Sequence, residues 1–166
     1  MLIVFGGLPG TGKSTIARDL CRKIGACLVR VEEIEQSIVR SGLASHPVGE
    51  VGYLVAYAIA EGNLSLGRTV VADSVNPQPV TRLAWKEVGR RAGVDVREIE
   101  LICSNSEEHR TRVELRTTDI EGLPLLSWRD VIDRDYEIWD QPHVLVDTAN
   151  RSVTNCVGEI RCLLGL

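Results

Sequence analysis

The sequence predicts an α/β protein in which a parallel sheet is covered by helices on both faces. Two observations lead there. Short apolar runs alternate with stretches of helical periodicity along all 166 residues, and strands that alternate with helices must be joined by crossovers, which makes their sheet parallel. The first apolar run, Leu2-Ile3-Val4-Phe5, passes through a glycine-rich turn at Gly7–Ser14 into a segment with Ile16, Leu20 and Ile24 spaced i, i+4, i+8, which reads as strand, turn and helix. No repeat or low-complexity linker interrupts the pattern, so residues 1–166 are expected to form one domain.

The elements follow in order. Strand one is Leu2 to Phe5, and helix one runs from Thr15 to Ile24. Ala26 to Val31 is a second strand that leads into a helix from Glu32 to about Arg40; Gly42 to Val48 is a loop. Glu50 to Leu66 is a long helix whose apolar face is expected to be Val51, Leu54, Val55, Ala58, Ile59 and Leu66. Thr69 to Ala72 is the third strand and ends in Asp73. A turn at Asn76-Pro77 starts a helix with Val80, Leu83, Ala84, Val88 and Ala92 on one face and Gly93 as its cap. Val94 to Cys103 is the fourth strand, and Ser106 caps a helix reaching about Arg116. Thr117 to Ser127 is a loop. Trp128 to Asp140 reads as a helix with Trp128, Val131, Ile132 and Trp139 facing inward. His143 to Val146 is the fifth strand, and Ser152 caps a last helix.

Composition narrows the class. Hydrophobic residues at 44% and charged residues at 25% describe a globular chain with a real core, and a net charge of −4 argues against a general nucleic-acid footprint. No apolar run approaches the length of a membrane span, and the short N-terminal run has no basic lead, so neither an anchor nor a signal peptide is expected. The five cysteines form no C-x-x-C pair and no cluster with zinc spacing. Scattered thiols of this kind fit a reducing cytoplasm.

Gly7-Leu8-Pro9-Gly10-Thr11-Gly12-Lys13-Ser14 is a complete phosphate-binding loop between a strand and a helix. Its glycines leave room for backbone N–H groups to curl round a phosphate at the positive end of the helix, which Thr15 begins. Lys13 is placed to reach the β- and γ-phosphates and Ser14 to ligate Mg²⁺. The loop identifies a nucleoside triphosphate, with ATP and Mg²⁺ as the expected cofactors. A GTPase would carry a guanine-reading N-K-x-D, which this chain lacks; Asp147-Thr148-Ala149 falls on the last strand, too late for a switch. An AAA+ motor needs a larger domain with sensor elements.

Acids at the ends of strands two and three and a basic lid point to a small kinase. Asp73 closes an apolar strand, where it would hold Mg²⁺ or its water shell, or else cap the next turn. Glu32 and Glu33 stand where a carboxylate could take a proton from an attacking hydroxyl, or could simply complement the helix dipole. Arg112 and Arg116, four residues apart, share a face that could meet a transferring phosphoryl group; Glu108 and Arg112 could also form an ordinary helical ion pair. Tyr53 and Tyr57 share a face that could line an acceptor pocket, Asn76 could bond the acceptor or serve the turn, and His46, His109 and His143 read as structural.

Together the loop, Val29-Arg30-Val31-Glu32-Glu33-Ile34-Glu35-Gln36, Val70–Pro77, Glu108–Glu114, Asp135–Trp139 and Val146–Ala149 make the chain resemble the polynucleotide-kinase/zeta-toxin-like group of small bacterial P-loop kinases, often labelled AAA-family ATPases or predicted kinases. The resemblance implies a three-layer, nucleoside-kinase-like P-loop NTPase fold with a five-stranded parallel sheet, a small lid at about 112–130, and ATP as phosphoryl donor. It implies Glu32 as the acceptor-activating base, where the group usually has Asp, and Arg151 at the edge of the adenine pocket. Kinases of 5′-hydroxyl polynucleotide ends carry an Arg three residues after the base; Glu35 stands there, which disfavours a nucleic-acid acceptor and suggests a small molecule. The expected activity is transfer of the γ-phosphoryl of ATP to a hydroxyl. A nucleotide-binding regulatory or partner-binding module that hydrolyses ATP slowly or not at all is the alternative, and a 5′-hydroxyl nucleic-acid kinase the third reading.

Overall fold

The computed structural model describes residues 1–166. Five strands, β1 (Leu2–Gly6), β2 (Cys27–Arg30), β3 (Val70–Asp73), β4 (Val96–Ile102) and β5 (Val144–Asp147), form one sheet in the order β2-β3-β1-β4-β5, every pair parallel. Seven helices connect and cover it: α1 (Lys13–Ile24), α2 (Val31–Arg40), α3 (Val51–Ser65), α4 (Pro79–Ala92), α5 (Ser106–Glu114), α6 (Trp128–Ile132) and α7 (Val153–Leu164). The expected three-layer α/β fold with its five-stranded parallel sheet is therefore present. No helix is long and apolar enough to cross a membrane.

The central strand shows why the sheet must be covered twice. Every residue of β1 is buried, and alternate side chains enter opposite cores. Ile3 and Phe5 join Ile16, Leu20, Ile99, Leu101, Val157 and Ile160 under α1 and α7. Leu2 and Val4 join Ala56, Ala60, Leu64, Trp85 and Val88 under α3 and α4. β1 and β3 end level, with Phe5 opposite Asp73, and β2 ends level with β3, with Arg30 opposite Asp73. Three strand ends thus deliver the phosphate-binding loop, Asp73 and the start of α2 to one edge of the sheet.

Three expectations are corrected. The face of α3 chosen from the sequence points outward: Val51, Leu54, Val55, Ile59 and Leu66 are exposed, and Gly52, Ala56, Ala60 and Leu64 are buried instead. The helix is apolar all round, so periodicity does not choose a side; small residues at i, i+4, i+8 let it lie close to the sheet. In α4, Val80 and Leu83 are also exposed, while Arg82, Trp85, Val88 and Gly89 face inward. Trp85 is fully buried with Tyr57 edge-on at 4.6 Å, and a Cβ at Gly89 would lie 2.1 Å from Val96 Cγ2. Bulk on one side and a close approach on the other set the rotation of α4.

The third correction concerns the helix expected over Trp128–Asp140, which ends at Ile132, itself 55% exposed. Beyond it the helical bonding stops and the chain is tied to β4 and to the loop before α4. The Tyr136 hydroxyl donates to Glu100 Oε1 (2.8 Å), Trp139 Nε1 donates to the Tyr136 oxygen (2.7 Å), and the Glu137 amide donates to the Pro77 carbonyl (2.9 Å). Trp139 is buried as expected, over Gly6, where a Cβ would lie 2.2 Å from its ring.

Candidate active site

A cavity of about 960 Å³ opens at the carboxyl ends of the strands, the usual location for ligands in an open parallel sheet. Pro9, Gly10, Thr11, Gly12, Lys13, Ser14 and Thr15 form its floor. Gly7, Gly10 and Gly12 have φ of 127°, 88° and 93°, values that side chains rarely tolerate. At Gly7 a Cβ would also lie 2.1 Å from the Leu101 carbonyl oxygen. Gly7 and Leu8 stand behind the lining: the Gly7 amide donates to Val75 O (3.1 Å), and Leu8 O accepts from Lys13 Nζ (2.9 Å) and Thr11 Oγ1 (3.0 Å).

The loop is braced from outside. His109 Nε2 lies 2.8 Å from Pro9 O, and since a carbonyl only accepts, that nitrogen carries the proton. Its ring is buried and meets Trp128 edge-on at 5.0 Å; burial holds its pKa below the ordinary histidine value. Thr148 Oγ1 contacts both Thr11 O (3.0 Å) and Ile102 O (2.9 Å). The histidine is structural, as its isolation in the sequence suggests, but its structure is that of the loop itself.

The opposite wall is set by α2 and Asp73. Asp73 is fully buried behind the lining; Arg30 Nε lies 3.3 Å from its Oδ2, and its Oδ1 has no partner. Glu32 lines the cavity, its Oε2 buried without a partner, while Glu33 points outward and lies 3.6 Å from Arg30. Burial, reinforced by the nearby Asp73 charge and opposed by Lys13, pushes the Glu32 carboxyl up to about 7. Burial lowers the Lys13 pKa, against the opposing pull of Asp73 and Glu32. Glu35 also lines the cavity, pressed against α3 where a Cβ at Gly52 would lie 2.3 Å from its Cγ; desolvation raises its pKa.

Arg112, Arg116 and Arg151 reach the cavity too, but in different states. Arg112 donates to Glu108 Oε1 (2.6 Å), Thr148 Oγ1 (2.8 Å) and Thr148 O (2.9 Å), so the helical ion pair allowed by the sequence is present. Arg151 donates to Asp147 O (3.1 Å) and to Glu159 Oε2 (2.5 Å). Arg116, just beyond the end of α5 at Glu114, has no ion pair or side-chain hydrogen bond. Tyr53 faces the cavity and accepts from the Asn76 amide (3.2 Å), whereas Tyr57 turns to Thr81 O (3.3 Å). Asn76 serves its turn: φ is 49°, Nδ2 donates to Phe5 O (2.7 Å) and Oδ1 accepts from Trp85 Nε1 (3.1 Å).

Sequence reasoning missed four residues at this site. Arg30, buried beside Asp73, also donates to Asp119 Oδ2 (2.9 Å), and Arg18 pairs with the same carboxylate. Asp119 belongs to the irregular stretch 115–127 between α5 and α6, inside the expected lid at about 112–130, which also contains the buried Ile120 and joins α2 through Glu121–Arg40 (3.3 Å). Arg134 lines the cavity with Nε buried and unpartnered, and its charge acts on both Lys13 and Glu35. Arg30 had a usable signal, a cation at a strand end beside an acid-ending strand; Arg134, between Asp133 and Asp135, looks like surface charge.

A family model described as AAA domain matches residues 2–134. Among solved structures, the APS kinase CysC of Mycobacterium tuberculosis in complex with AMPPNP and APS superposes with a TM-score of 0.74 at 18% identity, over 99% of this chain and 97% of that one. A gluconokinase from Sinorhizobium meliloti gives 0.68 at 16% identity, over 98% and 90% of the two chains. Kti12 of Chaetomium thermophilum in complex with ADP-AlF3 gives 0.67 at 22%, over 96% and 97%. These are likenesses of a kinase-like P-loop fold. The comparison with curated proteins found no match.

Proposed function

We propose that this chain, which belongs to the AAA domain family, is a small kinase that moves the γ-phosphoryl of ATP onto a hydroxyl of a small-molecule acceptor. The observation that carries the reading is Glu32: a carboxylate with a buried, unpartnered oxygen and a pKa raised to about 7, facing the same cavity as a complete phosphate-binding loop. A base poised near neutrality can both accept and release a proton at working pH.

In this reading Pro9–Thr15 cradle the triphosphate, and Lys13 exchanges the Leu8 carbonyl for phosphate oxygens. Glu32 takes the acceptor's hydroxyl proton as that oxygen bonds to the γ-phosphorus. The bond from phosphorus to the bridging oxygen breaks, and ADP leaves with its electron pair. Arg116 and Arg134, both without ion pairs, meet the charge spread over the moving phosphoryl oxygens. Arg112 and Arg151 border the nucleoside end. Mg²⁺ when bound would neutralise phosphate charge, and the residues fit it: the Ser14 hydroxyl on the lining and the free Oδ1 of Asp73 behind it would hold the ion or its waters. A cytoplasmic setting belongs to the same proposal, in keeping with five free cysteines.

The test is incubation with γ-labelled ATP and a panel of sugars, nucleosides, aminoglycoside-type antibiotics and 5′-hydroxyl oligonucleotides. Label in a small organic product is the expected result. Label found only in free phosphate, or nowhere, contradicts the reading and favours a nucleotide-binding regulatory module.

A further inference from the structure

The outward side of α3 carries no charge. Val51, Leu54, Val55 and Ile59 are 47%, 59%, 37% and 44% exposed, and Ala58 and Gly62 complete the same face at i, i+3, i+4, i+7, i+8 and i+11. Leu43 before the helix and Leu66 after it are exposed, as are Val80 and Leu83 on the adjoining α4. At about 60–120 Å² per aliphatic side chain, these exposed fractions amount to roughly 300–500 Å² of apolar surface. A patch of that size is comparable to the largest on an ordinary monomer, and such patches are often functional.

We propose that this band is the contact of a twofold homodimer in which α3 packs antiparallel against α3 of a second copy. Charge complementarity argues for this occupant. Glu50 immediately precedes α3 and Arg68 lies just beyond its end; both are exposed and neither has an ion pair within the chain. An antiparallel twofold pairing sets each Glu50 beside the Arg68 of the other copy. The axis then passes near Ala58 and Ile59, small enough at Ala58 for close approach. With the axis between Ala58 and Ile59, Val51 lies level with Leu66 and Val55 with Gly62, where nothing lies within 4 Å of a Cβ, and Glu50 falls within one residue of Arg68.

Shape and area agree. Beside the band, a groove of about 600 Å³ between α2 and α3, walled by Ile34, Ile38, Val55 and Ile59, can receive aliphatic side chains from the partner. A standard interface covers about 800 Å² per partner, and homodimer contacts are about 65% apolar, so the band supplies much of the apolar part. A membrane surface fits less well, because such helices carry an excess of Lys and Arg along their polar borders, and here Arg90 and Arg91 are already paired with Glu87 and Glu61.

Sedimentation equilibrium in reducing buffer, needed because Cys162 is exposed, tests the pairing over about a hundredfold concentration range. The unaltered chain is expected to sediment at twice its 18.3 kDa. Leu54→Glu, which places a charge in the apolar contact of each copy, should raise the dimer dissociation constant by about a hundredfold. Glu50→Arg alone should raise it about tenfold, and adding Arg68→Glu should restore it to within about threefold. Far-UV circular dichroism checks the fold of each variant. A monomer at every concentration, an unchanged constant in Leu54→Glu, or a double reversal no tighter than the single one overturns the proposal.

Discussion

At the phosphate-binding loop and the groups that brace it, the charged and ring side chains rest on partners inside the chain, whereas at the facing wall several polar groups have none. Lys13 rests on Leu8 O, Thr11 on the same carbonyl, Arg112 on Glu108 and Thr148, and His109 on Pro9. Across the cavity, Glu32 Oε2, Asp73 Oδ1 and Arg134 Nε are buried without partners. A buried unpartnered polar atom costs roughly 1–3 kcal/mol, so a wall that collects them gives up stability for groups left available to a ligand. In the proposed reading the loop side binds by exchanging bonds it already has. The α2 and lid side is where chemistry has unspent capacity.

The largest test of this contrast is Lys13→Ala. It should cut phosphoryl transfer by about 10³-fold or more, since the ammonium is the floor's charged group aimed at the phosphates; a product assay with labelled ATP checks it, and transfer within tenfold of the unaltered protein would erase the distinction.

A smaller effect sharpens it among the arginines. Removing the tied Arg112 should act mainly on nucleotide binding, raising the KM for ATP several-fold with kcat little changed. Removing the unpaired Arg116 should lower kcat by about 10–100-fold. Steady-state kinetics on Arg112→Ala and Arg116→Ala would break the comparison if both changed the same parameter.

The smallest effect is on stability. In the folded chain the Glu32 carboxyl titrates at about 7, against an ordinary value of 4.5. Between these the folded state holds a proton that the unfolded state has released, so stability falls as pH rises from about 4.5 to about 7, and the loss is complete above. Glu32→Gln removes this cost. The variant should be more stable than the unaltered protein by about 1–3 kcal/mol near pH 8, and the gap should close towards pH 4. Denaturation midpoints across that range measure it; a gap independent of pH would show that Glu32 carries no raised pKa.

The same contrast divides what was legible in the sequence. The loop could be read because its glycines are local: Gly7, Gly10 and Gly12 sit at positive φ, and only their spacing is needed to see it. The five strands, the acid that ends β3 and the acids just after β2 also followed from short segments. The outward turn of α3 could not be read, because a helix with apolar residues on most of its circumference takes its orientation from small residues, Ala56 and Ala60 against the sheet and Gly52 against Glu35 of α2. Arg134 was hidden for a similar reason. Its place in the cavity depends on Tyr136 bonding to Glu100 of β4, and on Trp139 bonding to Tyr136, where periodicity would continue the helix.

Single-turnover transfer in Glu32→Gln tests the central claim most directly, measured beside nucleotide affinity with whichever acceptor from the panel takes label. The account predicts transfer slower by about 10²–10⁴-fold with ATP affinity within about twofold. Transfer at the unaltered rate, with the variant folded and binding ATP, would contradict it.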